Sequence, residues 1–170
     1  MKRTISITIL LLALALSAVA QQKLQPGNAA PDFSAQSLTG NQVSLKDLHG
    51  KVVVMTFWST RCQICHAEIP KLNQIVDRYR GRDVVFLALT MENDAKVTPY
   101  LRKNPFNFEI MPNSFGVVLK YADLDQGGRI NMGFPAYFLI DRAGTIKLKA
   151  NGWDKSENLD AQISRLLTSE

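Results

Sequence analysis

Both cysteines of the chain, Cys62 and Cys65, lie three residues apart within residues 58–70. Two thiols at this spacing can form a reversible disulfide, and the start of a helix stabilises the thiolate that exchanges it. Because the loop that this disulfide closes is short, the bond restricts the unfolded chain little and contributes little stability. We therefore predict that the pair is a redox reagent.

The same spacing also suits two ligands of a zinc site, but the sequence offers few further ligands. The chain has no other cysteine, and its only histidines are His49 and His66. A structural zinc site usually takes four such ligands. We therefore expect no metal at the cysteines and no cofactor elsewhere.

The positions of the two thiols predict different roles. Cys62 would lie at the helix N-terminus as the attacking nucleophile, and Cys65, one turn later, would be the shielded resolving thiol. Cys65 must lose a proton to act, and a poorly solvated carboxylate is a suitable acceptor. Glu68 is the candidate. The alternative is that Glu68 is an exposed first-turn residue that interacts only with the helix dipole.

The segments around the cysteines predict an α/β fold. Residues 51–58 and 83–90 are continuous β-branched and apolar runs, as expected for strands that are covered on both faces. Between them, apolar side chains recur with a helical period at Ile64, Ile69, Leu72, Ile75 and Val76. A strand, helix and strand in this order form a right-handed parallel unit.

Two hairpins are predicted outside this unit. Residues 32–38 and 42–45 are joined by a glycine-containing turn and predict an N-terminal β-hairpin, with a helical turn over residues 44–48 as an alternative ending. Residues 134–140 and 145–150 flank a tight turn and predict an antiparallel pair of strands.

Three further helices are expected. Asn93 would cap a helix that ends at Lys103, although Pro99 makes Thr98 a rival start. A short helix is predicted over residues 114–121, and a last helix opens at Ser156. Residues 123–133, with three glycines, form the least structured stretch by composition.

The first 20 residues have the pattern of a secretory signal peptide. Lys2 and Arg3 precede an apolar run, and Ala18-Val19-Ala20 is a small-residue cleavage site. The run is short for a membrane span of about 30 Å, so cleavage is favoured over a retained anchor. Membrane contact is expected only if the leader is retained.

One domain is expected after the leader. The 170 residues are 46% hydrophobic and 21% charged, which is typical of a globular protein. We place an extended segment over residues 21–31 and the domain over residues 32–170. Removal of Lys2 and Arg3 lowers the formal charge from +5 to +3, and the remaining basic residues are scattered among acids. This composition argues against a nucleic-acid partner.

The order of elements and two motifs resemble the thioredoxin superfamily, specifically the exported TlpA/ResA-like thiol-disulfide oxidoreductases, which are related to the AhpC/TSA proteins. The resemblance covers nearly the whole chain after the leader. The residues that carry it are Phe57-Trp58 before the two cysteines, Glu68 and Pro70 after them, and Gly133-Phe134-Pro135 before the strand over residues 136–141.

This resemblance implies a thioredoxin fold, a central mixed sheet flanked by helices, with an added N-terminal hairpin. It also implies that the Phe134–Pro135 bond is cis and that the backbone of Phe134 pairs with an extended substrate polypeptide. Trp58, Phe134 and Pro135 are accordingly expected at the substrate site. An apolar rim for unfolded polypeptide is expected from Phe57, Trp58, Met111, Phe134 and Tyr137, with a place partly in the core as the more common alternative for each.

The chain departs from the family pattern at positions that affect proton transfer. Thr56 stands where thioredoxin has a buried aspartate, so the burden of accepting a proton shifts to Glu68. Arg61 replaces the tryptophan that usually precedes the first cysteine. Arg61 and His66 would favour the Cys62 thiolate if they lay close to it, and solvated side chains are the alternative for both.

The resemblance implies a periplasmic or otherwise extracytoplasmic disulfide reductase, although thiol-disulfide exchange is symmetric and the alternative is that the same pair oxidises its substrates. It would receive electrons from a membrane thiol donor and act on oxidised cysteines of exported proteins, with apocytochrome c as a candidate. A peroxidase of the peroxiredoxin type is the alternative: residues 30–33 and Ser59 fit it, but Met55 stands where that family needs proline. The cysteines and the proline argue against a binding module that does not use thiols.

Overall fold

A five-stranded sheet forms the centre of the computed structural model, which describes residues 23–152, 156 and 158–168. In spatial order its strands are β5 (Glu109–Met111), β4 (Val84–Leu89), β3 (Val52–Phe57), β8 (Ala136–Ile140) and β9 (Ile146–Asn151). The leader predicted over residues 1–20 lies outside the described residues. Within the described ranges, no helix combines the length and apolarity that a bilayer crossing needs.

The pairing of the central strand β3 brings two loop segments together at one end of the sheet, which we call the working edge. β3 runs parallel to β4 and antiparallel to β8, and Phe57 at the end of β3 pairs with Ala136 at the start of β8. The segment that follows β3 and the segment that precedes β8 therefore meet at one edge. Every residue of β3 is buried, as the uninterrupted apolar run predicts.

Among the described residues, four α-helices accompany the sheet: α1 (Gln63–Arg78), α2 (Asp94–Lys103), α3 (Phe115–Tyr121) and α4 (Leu159–Thr168). Asn93 caps α2 by accepting the backbone N–H of Lys96, so the rival start at Thr98 is wrong. Both α1 and α2 continue through an internal proline, Pro70 and Pro99 respectively.

The N-terminal hairpin predicted from the sequence is confirmed. It consists of β1 (Ser34–Gln36) and β2 (Gln42–Ser44), and a 3₁₀ helix over Leu45–Leu48 follows it. The chain before the hairpin is held to the main domain, because Ala30 N donates to Gly144 O at 2.8 Å.

The two faces of the sheet carry separate hydrophobic cores, as the two-residue period of a strand requires. Val52 and Val54 point to a core shared with α1 and α4, which includes Leu72 and Ile163. The intervening side chains point to a second core, where Phe57, Phe138 and Tyr121 make edge-on and tilted ring contacts.

The stretch over residues 123–133 is more regular than its composition predicts. It forms a short antiparallel hairpin of β6 (Asp123–Leu124) and β7 (Ile130–Asn131). The side chain of Asp125 accepts the N–H groups of Gly127 and Arg129, which fixes the turn. The sequence-based expectation weighted the glycines and overlooked this aspartate turn.

Candidate active site

The segment between β3 and α1 is held from both sides before it reaches the cysteines. Trp58 N donates to Leu89 O at 3.0 Å, which extends the pairing of β3 with β4 by one residue. Thr60 then donates twice to Glu92, from its backbone N at 2.7 Å and from Oγ1 at 2.9 Å. This clamp fixes the chain two residues before Cys62.

The surroundings of Glu92 favour its ionised form. Burial opposes its charge, but the Thr60 N–H and the Lys96 ammonium, whose Nζ lies 2.9 Å from Glu92 Oε1, outweigh it and hold the pKa of Glu92 below its usual value. The sequence analysis missed this residue. The signal available was a glutamate in the loop that follows a buried parallel strand, three residues after the strand ends.

Cys62 and Cys65 are joined by a disulfide at the start of α1. Cys62 occupies the N-cap position, and its Sγ accepts the backbone N–H of Cys65 at 3.1 Å. Cys62 is half-buried, whereas Cys65 is only 4% exposed. Only the first sulfur is therefore accessible to a large partner, and this is the asymmetry that the predicted nucleophile and resolving roles require.

The Phe134–Pro135 peptide bond is cis, as the family resemblance implies. Pro135 is buried, Phe134 is half-buried between the two hydrophobic cores, and Pro135 O accepts the N–H of Gly152 at 2.9 Å. Because Ala136 pairs with Phe57, this proline lies at the edge of the sheet from which the cysteine segment leaves.

Glu68 lies inside the protein, one helical turn after Cys65. It is 4% exposed and accepts a hydrogen bond from the hydroxyl of Tyr137 on β8. The alternative of an exposed first-turn glutamate is therefore wrong. A carboxylate that has lost most of its water, one helical turn from a buried thiol, fits the proton acceptor that the sequence analysis sought.

The apolar rim expected from the sequence is mostly core. Phe57, Trp58, Met111 and Tyr137 are buried, and only Phe134 keeps partial exposure. Trp58 packs against the rings of Tyr100 and Phe106, so in this structure its indole supports the loop from within. That Trp58 also contacts substrate stays a prediction.

Other apolar side chains are exposed at this edge. Ile64 in the first turn of α1 is 38% exposed, and Met91, two residues after β4, is 43% exposed. The sequence analysis assigned Ile64 to the packed face of the helix. The segments that follow β3 and β4 therefore each leave part of an apolar side chain on the surface.

Arg61 and His66 are both exposed. The His66 ring packs edge-on against Tyr100, with 5.9 Å between centroids, which turns it toward the α2 side of the helix. The solvated alternatives for these two side chains are the ones that the structure supports. The described ranges contain no group of three or more His, Cys, Asp or Glu side chains that could hold a metal.

A Cys-x-x-Cys disulfide that caps a helix after a central strand, beside a cis-proline on a mixed sheet, defines a thioredoxin-like thiol-disulfide oxidoreductase. The comparisons with known proteins agree. Residues 26–149 match the model of the AhpC/TSA family, and the chain belongs to this family. Within it, the chain is TlpA/ResA-like.

Relatives of known name support the same activity. The chain is similar to the thiol-disulfide oxidoreductase ResA of Bacillus anthracis, with 32% identity over 151 residues that cover 86% of this chain and 81% of that protein. ResA of Bacillus thuringiensis subsp. konkukian is 27% identical over 147 residues, with the same coverage. The protein is accordingly a thiol-disulfide oxidoreductase.

The fold is also similar to a solved structure. The crystal structure of a putative thiol:disulfide interchange protein DsbE from Chlorobium tepidum superimposes with a TM-score of 0.68 at 28% identity. The alignment covers 85% of this chain and 99% of that one. The sheet flanked by helices and the added N-terminal hairpin predicted from the sequence are thereby confirmed.

Proposed function

We propose that this protein reduces disulfides of exported proteins outside the cytoplasm, through a cycle of its Cys62/Cys65 pair. The observation that carries the proposal is the arrangement around the two sulfurs. Cys62 is accessible beside a cis-proline, while Cys65 is shielded and has a buried carboxylate, Glu68, one turn away. An accessible nucleophile with a protected resolving thiol suits the exchange of large substrates.

The cycle begins from the reduced dithiol. The Cys62 thiolate attacks one sulfur of the substrate disulfide, and the other substrate sulfur leaves as a thiolate. Cys65 then gives its proton to Glu68 and attacks Cys62, which releases the second substrate sulfur. Two electrons pass from the protein to the substrate, and the protein is left with the Cys62–Cys65 disulfide. A thiol donor at the membrane restores the dithiol.

The substrate is proposed to be an extended polypeptide that contains oxidised cysteines, with apocytochrome c as one client. The half-buried Phe134 and the buried Pro135 would present backbone for pairing beside Cys62, and Trp58 would support the cysteine segment from within through its ring contacts with Tyr100 and Phe106. Ile64 and Met91 would add apolar contacts at the same edge.

The location outside the cytoplasm rests on the leader predicted over residues 1–20. Its cleavage would release the domain into the periplasm or an equivalent compartment, and its retention would anchor the domain to the membrane. Fractionation of the full-length protein, with mass measurement of its N-terminus, distinguishes the two arrangements.

Two cysteine variants test the proposal. Cys62→Ser should abolish reduction of insulin disulfides, because the attacking sulfur is lost. Cys65→Ser should accumulate mixed disulfides with exported proteins, which reducing agents release and mass spectrometry identifies. Turnover by Cys62→Ser at the normal rate would refute the cycle.

The peroxidase alternative is tested with the same proteins. Met55 stands at the position where peroxiredoxins need proline, and it lies buried within β3. We expect hydrogen peroxide turnover far below that of insulin reduction, and rapid peroxide turnover that depends on Cys62 would replace the proposal.

A further inference from the structure

Two buried polar side chains, Thr56 and Tyr137, lie on the face of the sheet that the helix of Glu68 covers. Thr56 on β3 and Tyr137 on β8 are directly opposed in the sheet register, so their side chains share the face that α1 covers. Thr56, Glu68 and Tyr137 are each at most 4% exposed. Three separate elements thus bring a hydroxyl, a carboxylate and a phenol to one buried place.

The phenol stays protonated while its neighbour changes charge. Tyr137 donates its hydroxyl hydrogen to Glu68 Oε2. Burial first, and then the hydrogen bond and charge of Glu68, raise the pKa of Tyr137 far above its ordinary value. Tyr137 is therefore a permanent hydrogen-bond donor, and Glu68 is the member of the pair that can take a proton from Cys65.

The Thr56 hydroxyl provides a second acceptor. Thr56 Oγ1 is buried without a hydrogen-bond partner of good geometry among the described residues. Thr56 is paired with Tyr137 in the register of β3 and β8, and its side chain acts to lower the pKa of that phenol, against the effects of burial and Glu68. Buried hydroxyls are normally paired, so an acceptor left open beside a donor suggests that the donor uses it in another state of the site.

We propose that Tyr137 is a positioning residue that lets Glu68 work in both protonation states by alternating between two acceptors. When Glu68 is ionised, the Tyr137 hydroxyl donates to its carboxylate, as the structure shows. When Glu68 is protonated, Glu68 donates to the Tyr137 oxygen and the Tyr137 hydrogen turns to Thr56 Oγ1. This inference rests on the proposed function, because it concerns the resolving step.

The step balances as follows. The Cys65 S–H bond breaks and its proton moves to Glu68, while Cys65 Sγ bonds to Cys62 Sγ. The bond between Cys62 and the substrate sulfur breaks, and that sulfur leaves with the electron pair as a thiolate. Glu68 later returns the proton to solvent or to the departing thiolate. Tyr137 keeps its own proton throughout and changes only its acceptor.

The pH dependence of the resolving step depends on the groups that surround Glu68. Tyr137 from β8 donates to this carboxylate, Cys65 lies one helical turn before Glu68 on α1, and β3 contributes the neutral Thr56 opposite Tyr137. In the same core, α4 contributes Leu159 and Ile163, which do not titrate. Because burial and Glu68 raise the pKa of Tyr137 far above its ordinary value, Tyr137 itself does not produce an acid limb in the resolving rate.

The test uses full-length protein reduced at the start and mixed with Ellman's reagent in a stopped-flow instrument. The first release of coloured thiolate reports attack by Cys62, and the second reports resolution by Cys65. Tyr137→Phe removes the donor that stabilises ionised Glu68, so the acid limb of the second phase should move to higher pH by about one to two units. Thr56→Val removes the acceptor needed when Glu68 is protonated, so the limb should move to lower pH.

Tyr121→Phe is the matched control, because it removes another buried phenol hydrogen bond, to Pro31 O, in the core on the opposite face of the sheet. Its acid limb should stay at the wild-type position. The first phase checks that each variant is folded and that Cys62 is competent, and its absence in the wild type would contradict the proposed function itself. A normal first phase with no shift in Tyr137→Phe, or with shifts of the same sign in both variants, would overturn the inference.

Discussion

The replacement Glu68→Gln removes the group that accepts a proton and leaves the packing around residue 68 nearly unchanged. Glutamine has nearly the same shape, and its Oε1 can still accept the Tyr137 hydroxyl hydrogen that Glu68 accepts in the structure. Glu68 is 4% exposed, so bulk water does not reach it to take the place of the lost carboxylate as a proton acceptor. We expect the fold and the attack by Cys62 to be preserved, while Cys65 loses its proton acceptor.

The size of the effect follows from the thiol chemistry. An ordinary thiol is about 3% ionised at pH 7, so losing the internal acceptor slows the resolving step at least about 30-fold. Cys65 is also buried, which disfavours its thiolate further and brings the expected slowing at pH 7 to about 100-fold. Because solvent hydroxide can replace the acceptor, the deficit should shrink about tenfold for each pH unit up to about pH 9.

The assay is the two-phase reaction with Ellman's reagent, in which only the second phase should slow. Glu109→Gln is the control, because Glu109 lies on the edge strand β5 and accepts a hydrogen bond from Thr39. It should leave both phases unchanged. A wild-type resolving rate in Glu68→Gln at pH 7, or a deficit that is the same at all pH values, would show that Glu68 is not the acceptor.

Two further predictions concern stability. Since the folded protein lowers the pKa of Glu92, its stabilisation is present above the usual value of 4.5 and is lost as the pH falls through the lowered value. Glu92→Gln should therefore unfold in less urea at neutral pH, by about 1–2 kcal/mol, with a difference that vanishes in acid; a constant difference would refute the assignment. Lys149 and Asp123 form an ion pair of 2.6 Å, with side chains 13% and 20% exposed. Lys149→Met should lower the free energy of unfolding by about 2 kcal/mol. Lys23 also faces Asp123, but its side chain is 67% exposed, so Lys23→Met should lower it by less than about 0.5 kcal/mol. Equal losses for the two variants in urea unfolding would contradict this.

Several parts of the fold could be predicted because they depend on local patterns. The buried runs of β3 and β4, the helical period after Cys62 and the Asn93 cap each lie within a few residues of the element that they define. The tight turn of β6 and β7 was missed although its signal is equally local. There the side chain of Asp125, and not the glycines, holds the turn.

The candidate site was predicted only in part. The spacing of Cys62 and Cys65 identified the redox pair, and the family resemblance supplied the cis bond before Pro135. The clamp of Thr60 by Glu92 was missed, because it joins residues 32 positions apart across the ends of two strands. No periodicity or spacing in the sequence encodes such a contact.

Glu68 shows most clearly what tertiary structure adds. The sequence determined that a carboxylate follows Cys65 by one helical turn, since that depends only on spacing, but left its environment open. Its burial was decided when β8 paired with β3, which brought Tyr137 against Glu68 across 69 positions of the chain. Chemistry that requires a low-dielectric surrounding cannot be specified by neighbouring residues alone, because desolvation is a property of the packed core.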